Sequence, residues 1–219
     1  MGRKRVAILI SGRGSNMAAL IAAARDKAYP AEIIFVLSNR PDAGGLDTAH
    51  AAGIATTVID HKTYGKDRAA FDDAMQALLD RHEIELVCLA GFMRLLSTPF
   101  VERWQGRMLN IHPALLPAFK GLDTHKRAIE AGATVHGATV HFVVPEMDAG
   151  PIIMQGAVAV LPNETEETLA ARVLKVEHRI YPAALKLVAE GRVHIDGGRC
   201  LVDGQPVPPP TQLVPDRTP

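Results

Sequence analysis

Two polar side chains stand close together in the stretch MLNIHPALLP, residues 108–117. Asn110 and His112 follow an apolar run and precede Pro113. If the run is a strand, side chains two residues apart point to the same face. An amide can donate a hydrogen bond to a developing oxyanion, and an imidazole beside it can move a proton at the same centre. A satisfied core Asn next to a capping His is the alternative, and these residues alone leave both interpretations open.

A third candidate lies in the loop sequence EMDAGP, residues 146–151. Turns favour Asp, so Asp148 is compatible with an ordinary turn residue. A loop carboxylate that reaches His112 would favour the charged form of the imidazole. The sequence does not decide between the two.

A glycine-rich turn, SGRGSN at residues 11–16, follows the apolar run Val6–Ile10 and opens a helical pattern. Backbone N–H groups at the start of a helix, with little side chain around them, bind anions. A dinucleotide fingerprint needs a third glycine where Met17 stands, and the Gly-Lys-Ser/Thr of a P-loop is absent. The turn therefore favours a phosphate monoester over NAD or ATP, with a plain capped turn as the alternative.

The elements that must position these residues follow from short apolar runs that alternate with Ala-rich helical patterns. Strands are predicted at Val6–Ile10, Glu32–Ser38, Ala55–Ile59, Leu86–Ala90 and Met108–His112, and helices at Met17–Lys27, Leu46–Ala52 and Arg68–His82. Runs that are apolar on both faces belong to parallel sheets covered by helices. We predict a doubly wound α/β domain through about residue 112, with the Gly-rich turn and the Asn–His pair at strand ends.

The later part of the chain has a different pattern. Ala138–Val144 and Ile152–Val160 are predicted as an antiparallel pair, followed by a long helix at Glu164–Glu190 and a hairpin at Val193–Val202. From Gln205 the chain holds 6 prolines in 15 residues. We predict one domain over residues 1–204 and a Pro-rich disordered tail over residues 205–219.

Composition narrows the function classes. The 24 Lys+Arg are balanced by 24 Asp+Glu, so no global basic field would hold a nucleic acid. Two cysteines give no disulfide framework, and His136 and His141 lack the spacing and Cys partners of a zinc site. No apolar run approaches the roughly 18 residues of a spanning helix. We expect a cytoplasmic protein with small-molecule substrates, no metal, no nucleic-acid or membrane partner, and a monomeric or weakly dimeric state.

Four segments occur in a recognisable order, namely SGRGSN at 11–16, LAGFMRLL at 89–96, LNIHPALLP at 109–117 and MDAGPII at 147–153. Together they closely resemble the glycinamide ribonucleotide formyltransferases, within the wider group of folate-dependent formyltransferases. The resemblance runs from about residue 5 to about residue 205. It implies a Rossmann-like α/β formyltransferase fold, a mostly parallel sheet flanked by helices with a C-terminal antiparallel extension.

The resemblance also implies a reaction, the third step of de novo purine biosynthesis. A formyl group would pass from 10-formyltetrahydrofolate, as co-substrate, to the amine of glycinamide ribonucleotide. Asn110 and His112 would stabilise the oxyanion, His112 would shuttle the proton, and Asp148 would sustain the charge of His112. No metal or redox cofactor is implied.

Binding residues follow from the same resemblance. The acceptor would be held by Gly14, Ser15, Asn16 and Glu177, and the folate by Arg68, Met93, Arg94, Leu95, Leu96, Val144, Pro145, Glu146, Met147 and Asp148. Three residues depart from the pattern. Ala114 stands where Ser is common, Asp123 where another polar residue or His is expected, and Ala149 where Gly is common.

Three other functions compete with this one. The first is formyl transfer to another amine, such as initiator methionyl-tRNA or a nucleotide sugar, although zero net charge counts against tRNA. The second is hydrolysis of formyltetrahydrofolate. The third is a module that holds NADPH with the Gly-rich turn and Arg40, which leaves Asn110, His112 and Asp148 unexplained.

Overall fold

The structure is a computed structural model that describes residues 2–213. Its strands are β1 (Lys4–Ile10), β2 (Ala31–Ser38), β3 (Ala55–Val58), β4 (Leu86–Leu89), β5 (Met108–His112), β6 (Val135–Phe142), β7 (Ile152–Ala159), β8 (Val193–Asp196), β9 (Arg199–Val202), β10 (Gln205–Pro206) and β11 (Thr211–Leu213). Its helices are α1 (Ser15–Ala24), α2 (Gly45–Ala51), α3 (Arg68–Arg81), α4 (Thr98–Arg103), α5 (Thr124–Glu130) and α6 (Glu166–Ala189), with a 3-10 turn at His61–Tyr64. None of these helices is long and apolar enough to cross a membrane.

Eight strands form one sheet in the order β11-β7-β6-β5-β4-β1-β2-β3. From β3 through β2, β1 and β4 to β5, adjacent strands are parallel, whereas β6 is antiparallel to both β5 and β7. A second, antiparallel sheet contains β8, β9 and β10. The predicted parallel sheet with an antiparallel extension is therefore confirmed.

The core lies on both faces of this sheet. Within β1 the five residues Val6–Ile10 are buried, and their side chains alternate between two apolar clusters. Ile8 joins the cluster that contains the apolar faces of α1 and α6, while Leu9 joins the cluster that contains α3. Because a strand presents alternate residues to opposite faces, an uninterrupted apolar run is what a sheet covered on both sides requires.

Helix α6 closes one of these faces. Its buried residues recur at the spacing of one helical stripe, and they are Leu169, Val173, Val176, Ile180 and Ala184. The helix begins two residues later than predicted because Thr165 caps it in a reciprocal capping box with Thr168.

The sequence prediction misses α4 and α5, which have six and seven residues. Neither is long enough to show a full apolar stripe, and each depends on its surroundings. The Ser97 hydroxyl caps α4, and the Thr124 hydroxyl ties α5 to the carbonyl of Pro113. The β6 boundary also differs, since Val135 extends the pairing with β7.

The structure places part of the segment from Gln205 onward in strands. Gln205–Pro206 pairs with β9, and Thr211–Leu213 pairs in parallel with β7 at the sheet edge. Proline lacks one backbone donor but retains its carbonyl, so a Pro-rich segment can still place its other residues against an open edge. Residues 214–219 of the predicted tail lie outside the described residues. The division into one domain and a tail stays a prediction.

Candidate active site

A cleft of about 740 Å3 opens beside the carboxyl ends of β4 and β5. Strand β1 is flanked by β2 on one side and β4 on the other, which is the topological switch point where open α/β sheets bind ligands. There the Ser11 N–H donates to the carbonyl of Gly91 at 3.1 Å. The cleft is lined by Asn110, His112 and Asp148 together, so the structure unites the three residues that the sequence offered as candidates.

His112 ends β5 and is nearly buried. Its Nε2 lies 3.0 Å from the carbonyl oxygen of Phe119, which can only accept, so Nε2 carries a hydrogen. Its Nδ1 then faces Oδ2 of Asp148 at 3.5 Å. The same Asp148 oxygen accepts from the Gly121 N–H at 2.9 Å. One backbone segment therefore supplies a partner to each member of the His–Asp pair.

Local backbone geometry places the Asp148 carboxylate. Asp148 has a φ of 51°, in the left-handed region that Asp tolerates better than most residues. Two residues later the chain passes so close to β6 that a Cβ on Gly150 would lie 1.7 Å from the carbonyl oxygen of Phe142. Only glycine fits there without moving the backbone, so Gly150 fixes how the loop returns into β7.

Asn110 is oriented by a residue on the neighbouring strand. Its Nδ2 lies 3.2 Å from Nε2 of His141, which is its register partner across β5 and β6. Since His141 Nδ1 donates to the carbonyl of Phe142 at 2.9 Å, Nε2 is the acceptor. Burial lowers the pKa of His141, against the opposing effects of Phe142 and Asp148, and this favours the neutral ring. The second amide hydrogen of Asn110 remains available to a ligand.

The Gly-rich turn leaves the start of α1 open. Gly14 precedes the helix with a φ of 70°, and neither a capping side chain nor an acidic residue occupies its first turn. A Cβ on Gly14 would lie 3.1 Å from Cα of Gly45, so the turn packs tightly against the start of α2. The first-turn N–H groups, which include those of Ser15 and Asn16, are thus free to meet an anion.

Asn16 and Glu177 meet although they are 161 residues apart. The amide Nδ2 of Asn16 donates to Oε2 of Glu177 at 2.5 Å, and both side chains are buried. Burial raises the pKa of Glu177, and the hydrogen bond from Asn16 opposes this shift. The contact brings together two residues that the resemblance assigned to one substrate.

Most of the residues assigned to folate line the cleft. They are Met93, Arg94, Leu95, Leu96, Val144, Pro145, Met147 and Asp148. Met93, Leu95 and Met147 are large apolar side chains with 68%, 60% and 55% exposure, which leaves an apolar rim around a polar centre.

Two residues assigned to folate do not line it. Arg68 is exposed at the first position of α3, and Glu146 contacts Lys120 at 3.4 Å on the surface. The assignment of all ten residues to folate stays a prediction.

Sequence reasoning did not single out Leu122 or His125, which also line the cleft. Leu122 is 72% exposed, and an isolated apolar residue in a loop carries no periodic signal. Of the three departures, Ala114 is fully buried, and Asp123 lines the cleft at the start of α5. Within residues 2–213 no group of three or more His, Cys, Asp or Glu has a metal-binding arrangement. The expectation of no metal stays a prediction.

Comparison with known proteins decides the family. The family described as formyl transferase matches residues 4–185. This chain belongs to the formyl transferase family. Among the solved structures of formyl transferases, a phosphoribosylglycinamide formyltransferase from Coxiella burnetii superposes with a TM-score of 0.89 at 43% identity. The match covers 94% of this chain and 96% of that one, and it confirms the predicted Rossmann-like formyltransferase fold.

Curated proteins of two sizes are similar to this chain. The phosphoribosylglycinamide formyltransferase of Escherichia coli K12 is 42% identical over 204 residues, which is 93% of this chain and 96% of that protein. The trifunctional purine biosynthetic protein adenosine-3 of Bos taurus is 54% identical over 198 residues, which is 90% of this chain. The chain spans 20% of the length of that larger relative.

Proposed function

We propose that this formyl transferase moves the formyl group of 10-formyltetrahydrofolate to the amine of glycinamide ribonucleotide in purine biosynthesis. The observation that carries the proposal is the convergence of Asn110, His112 and Asp148 in one cleft at the switch point of the sheet. The names of the relatives support the same acceptor. No metal enters the proposed chemistry.

In this reaction the amine nitrogen attacks the formyl carbon, and the carbonyl oxygen becomes an oxyanion. The free amide hydrogen of Asn110 donates to that oxygen, and so does Nδ1 of a protonated His112. As the bond from carbon to the folate nitrogen breaks, His112 gives its Nδ1 proton to that nitrogen, and the neutral ring takes the proton that the attacking amine loses, which restores the imidazolium. Asp148, at 3.5 Å, stabilises the imidazolium while its other contact, the Gly121 N–H, holds it in place.

The phosphate and the ribose of the acceptor fit the start of α1 and the Asn16–Glu177 pair. The uncapped first turn of α1, which follows Gly14, suits its phosphate because no side chain within residues 2–213 caps the N–H groups there. The carboxylate of Glu177, held by Asn16, suits a ribose hydroxyl. The acceptor would place its phosphate at the turn and its amine at the Asn–His pair.

The rim of the cleft suits the folate. A flat heteroaromatic ring offers two apolar faces, and the exposed side chains of Met93, Leu95 and Met147 gain about 25 cal/mol for each Å2 of apolar surface that such a ring covers. Holding donor and acceptor side by side supplies much of the remaining rate enhancement.

A spectrophotometric assay tests the proposal. Purified protein is mixed with 10-formyltetrahydrofolate or its dideaza analogue, with and without glycinamide ribonucleotide. Deformylation that requires the ribonucleotide is the expected result. Deformylation in its absence contradicts transfer and identifies a hydrolase. If neither mixture reacts, the proposal fails and NADPH becomes the ligand to test.

A further inference from the structure

Residues 119–122 supply the backbone groups that orient the proposed catalytic pair. The carbonyl of Phe119 accepts from His112 Nε2 at 3.0 Å, and the N–H of Gly121 donates to Asp148 Oδ2 at 2.9 Å. The positions of His112 Nδ1 and of the carboxylate therefore depend on this 119–122 segment. A shift of the segment would move both side chains at once.

The conformation of the segment is not one that its own residues favour. Phe119 has a φ of 54° and Gly121 a φ of 83°, and Asp123 follows with a φ of 54°. A residue with a Cβ is disfavoured in this left-handed region, and an aromatic residue is found there less often than Asn or Asp. Contacts from outside the segment must therefore hold it.

Arg127 on α5 makes three such contacts. Its Nη1 donates to the carbonyl of Lys120 at 2.7 Å and to that of Leu122 at 3.2 Å. Its guanidinium also lies over the ring of Phe119, with Cζ 5.7 Å from the ring centroid. The side chain thus contacts three successive parts of the segment, and the carbonyls that it binds flank the Gly121 N–H that Asp148 uses.

Helix α5, which carries Arg127, is anchored to the rest of the protein. The Thr124 hydroxyl donates to the carbonyl of Pro113 at 2.7 Å, immediately after His112, and Ala128 is fully buried. Arg127 is not among the residues that line the cleft, so contact with a substrate does not explain its position. We infer that Arg127 is a positioning residue, which acts through the 119–122 segment on His112 and Asp148. This inference rests on the proposed function.

The test compares Arg127→Ala with Lys126→Ala. Lys126 is the adjacent cation on α5, and its one ion pair within residues 2–213 is with Glu130 at 3.9 Å, so its removal controls for the loss of charge. In Arg127→Ala we expect kcat to fall about tenfold while KM for the acceptor changes less than twofold. Total loss is not expected because Arg127 is exposed and water competes for its hydrogen bonds.

Two further readouts separate positioning from general damage. Hydrogen exchange of the Gly121 amide, followed by NMR, should be faster in Arg127→Ala and unchanged in Lys126→Ala. Guanidinium at low millimolar concentration should restore part of the lost kcat. Arg127→Lys, which keeps the charge without the planar fork, should show a smaller fall in kcat and serves if Arg127→Ala does not fold.

The outcomes are distinct. A kcat within twofold of wild type in a folded Arg127→Ala chain overturns the inference, whatever the exchange result; in Arg127→Lys the same result overturns it only if Arg127→Ala does not fold. An equal fall in Lys126→Ala also overturns it, since charge alone would then explain the effect. If the wild-type chain shows no turnover, the proposed function fails, and Gly121 exchange alone decides whether Arg127 holds the segment: faster exchange in Arg127→Ala supports that contact, and unchanged exchange overturns it.

Discussion

His112 has one ring nitrogen committed to the protein and the other turned toward Asp148 and the cleft. Because Nε2–H is held by a backbone carbonyl, the proton that moves in the proposed reaction uses Nδ1. A proton shuttle needs a ring of fixed orientation, because a ring that rotated freely would not keep Nδ1 directed at the reacting atoms. The hydrogen bond from Nε2 to the Phe119 carbonyl provides that orientation.

We expect His112→Asn to lower kcat by at least about a thousandfold, because Asn cannot carry a proton between the amine and the leaving nitrogen. The amide of Asn can still donate to Phe119, so the melting temperature should stay within about 3 °C of wild type. The measurements are steady-state assay and thermal melting. Turnover near the wild-type rate would remove His112 from the mechanism.

Glu177 provides a prediction with a defined pH dependence. Burial raises its pKa above the ordinary 4.5, so the folded state binds the proton more tightly than the unfolded state. That stabilisation is complete below pH 4.5 and is lost as the pH rises through the folded-state pKa. At pH 8 Glu177→Gln removes a buried charge and keeps an oxygen for Asn16, so we expect the melting temperature to rise by about 2 °C.

The gain from Glu177→Gln should vanish below pH 4.5, and KM for the acceptor should rise about tenfold at pH 8 because a carboxylate is lost. Glu167→Gln on the same helix is the matched control. Hydrogen bonds from its own backbone and from Thr165 lower the pKa of Glu167, so this substitution should not raise the melting temperature at pH 8. A lower melting temperature for Glu177→Gln at pH 8 would contradict the assignment of a buried charge.

At the scale of elements, the loop between β6 and β7 contains Asp148, and Gly150 allows the chain to pass close to β6 before it enters β7. We expect Gly150→Ala to reduce the free energy of unfolding by about 2–3 kcal/mol, because a Cβ there meets a backbone carbonyl that cannot move aside alone. Urea denaturation measures this change. The same shift should displace Asp148 and lower kcat.

Gly44→Ala is the matched control for that substitution. Gly44 has a helical φ of −61°, and a Cβ there meets no atom within 4 Å. Its free energy of unfolding should stay within about 0.5 kcal/mol of wild type. Equal effects of the two substitutions would show that the close approach at Gly150 is not limiting.

Strands and helices can be located from the sequence where their pattern of apolar residues is local and long enough to be detected. The stripe of α6 and the apolar run of β5 are examples, and Met108–His112 is reproduced residue for residue. Helix α5 escapes prediction because seven residues cannot display a stripe and its anchor, the carbonyl of Pro113, is supplied by another segment. The 119–122 segment, which Arg127 contacts, carries no sequence signal for the same reason.

At the scale of the whole molecule, the segment that contains β11 covers one edge of the large sheet. Strand β11 covers the outer side of β7, and Val207, Pro208 and Pro209 line a small cavity of about 160 Å3 with residues of β7 and α6. An uncovered strand edge is a template for pairing with another chain. The Pro-rich composition of the tail therefore does not exclude a structural role.

We expect a chain that ends at Gly204 to associate in a concentration-dependent way, because the β7 edge is exposed once β11 is removed. Its melting temperature should fall by about 3 °C from lost packing. Light scattering after size exclusion and thermal melting are the measurements, with a chain that ends at residue 213 as control. A shortened chain that stays monomeric at all concentrations would show that β11 does not protect this edge.

The sequence by itself determined what depends on neighbours along the chain. Asn110 and His112 share a face because the period of a strand is two, and the turn at Gly14 opens a helix because apolar periodicity resumes directly after it. Residue types also limited the chemistry, since an amide, an imidazole and a carboxylate move protons and stabilise an oxyanion without a metal.

Only the tertiary structure decided which of these residues meet. Asp148 lies near His112 although they are 36 residues apart, and Glu177 contacts Asn16 across 161 residues. His141 meets Asn110 through the register of β5 and β6. These pairings depend on loop closure, sheet register and helix packing, all of which join segments with no local signal for one another. The contacts of the Phe119 carbonyl and the Gly121 N–H were likewise decided by the tertiary structure. Every residue carries a backbone carbonyl, and only the fold brings these two backbone groups to His112 and Asp148.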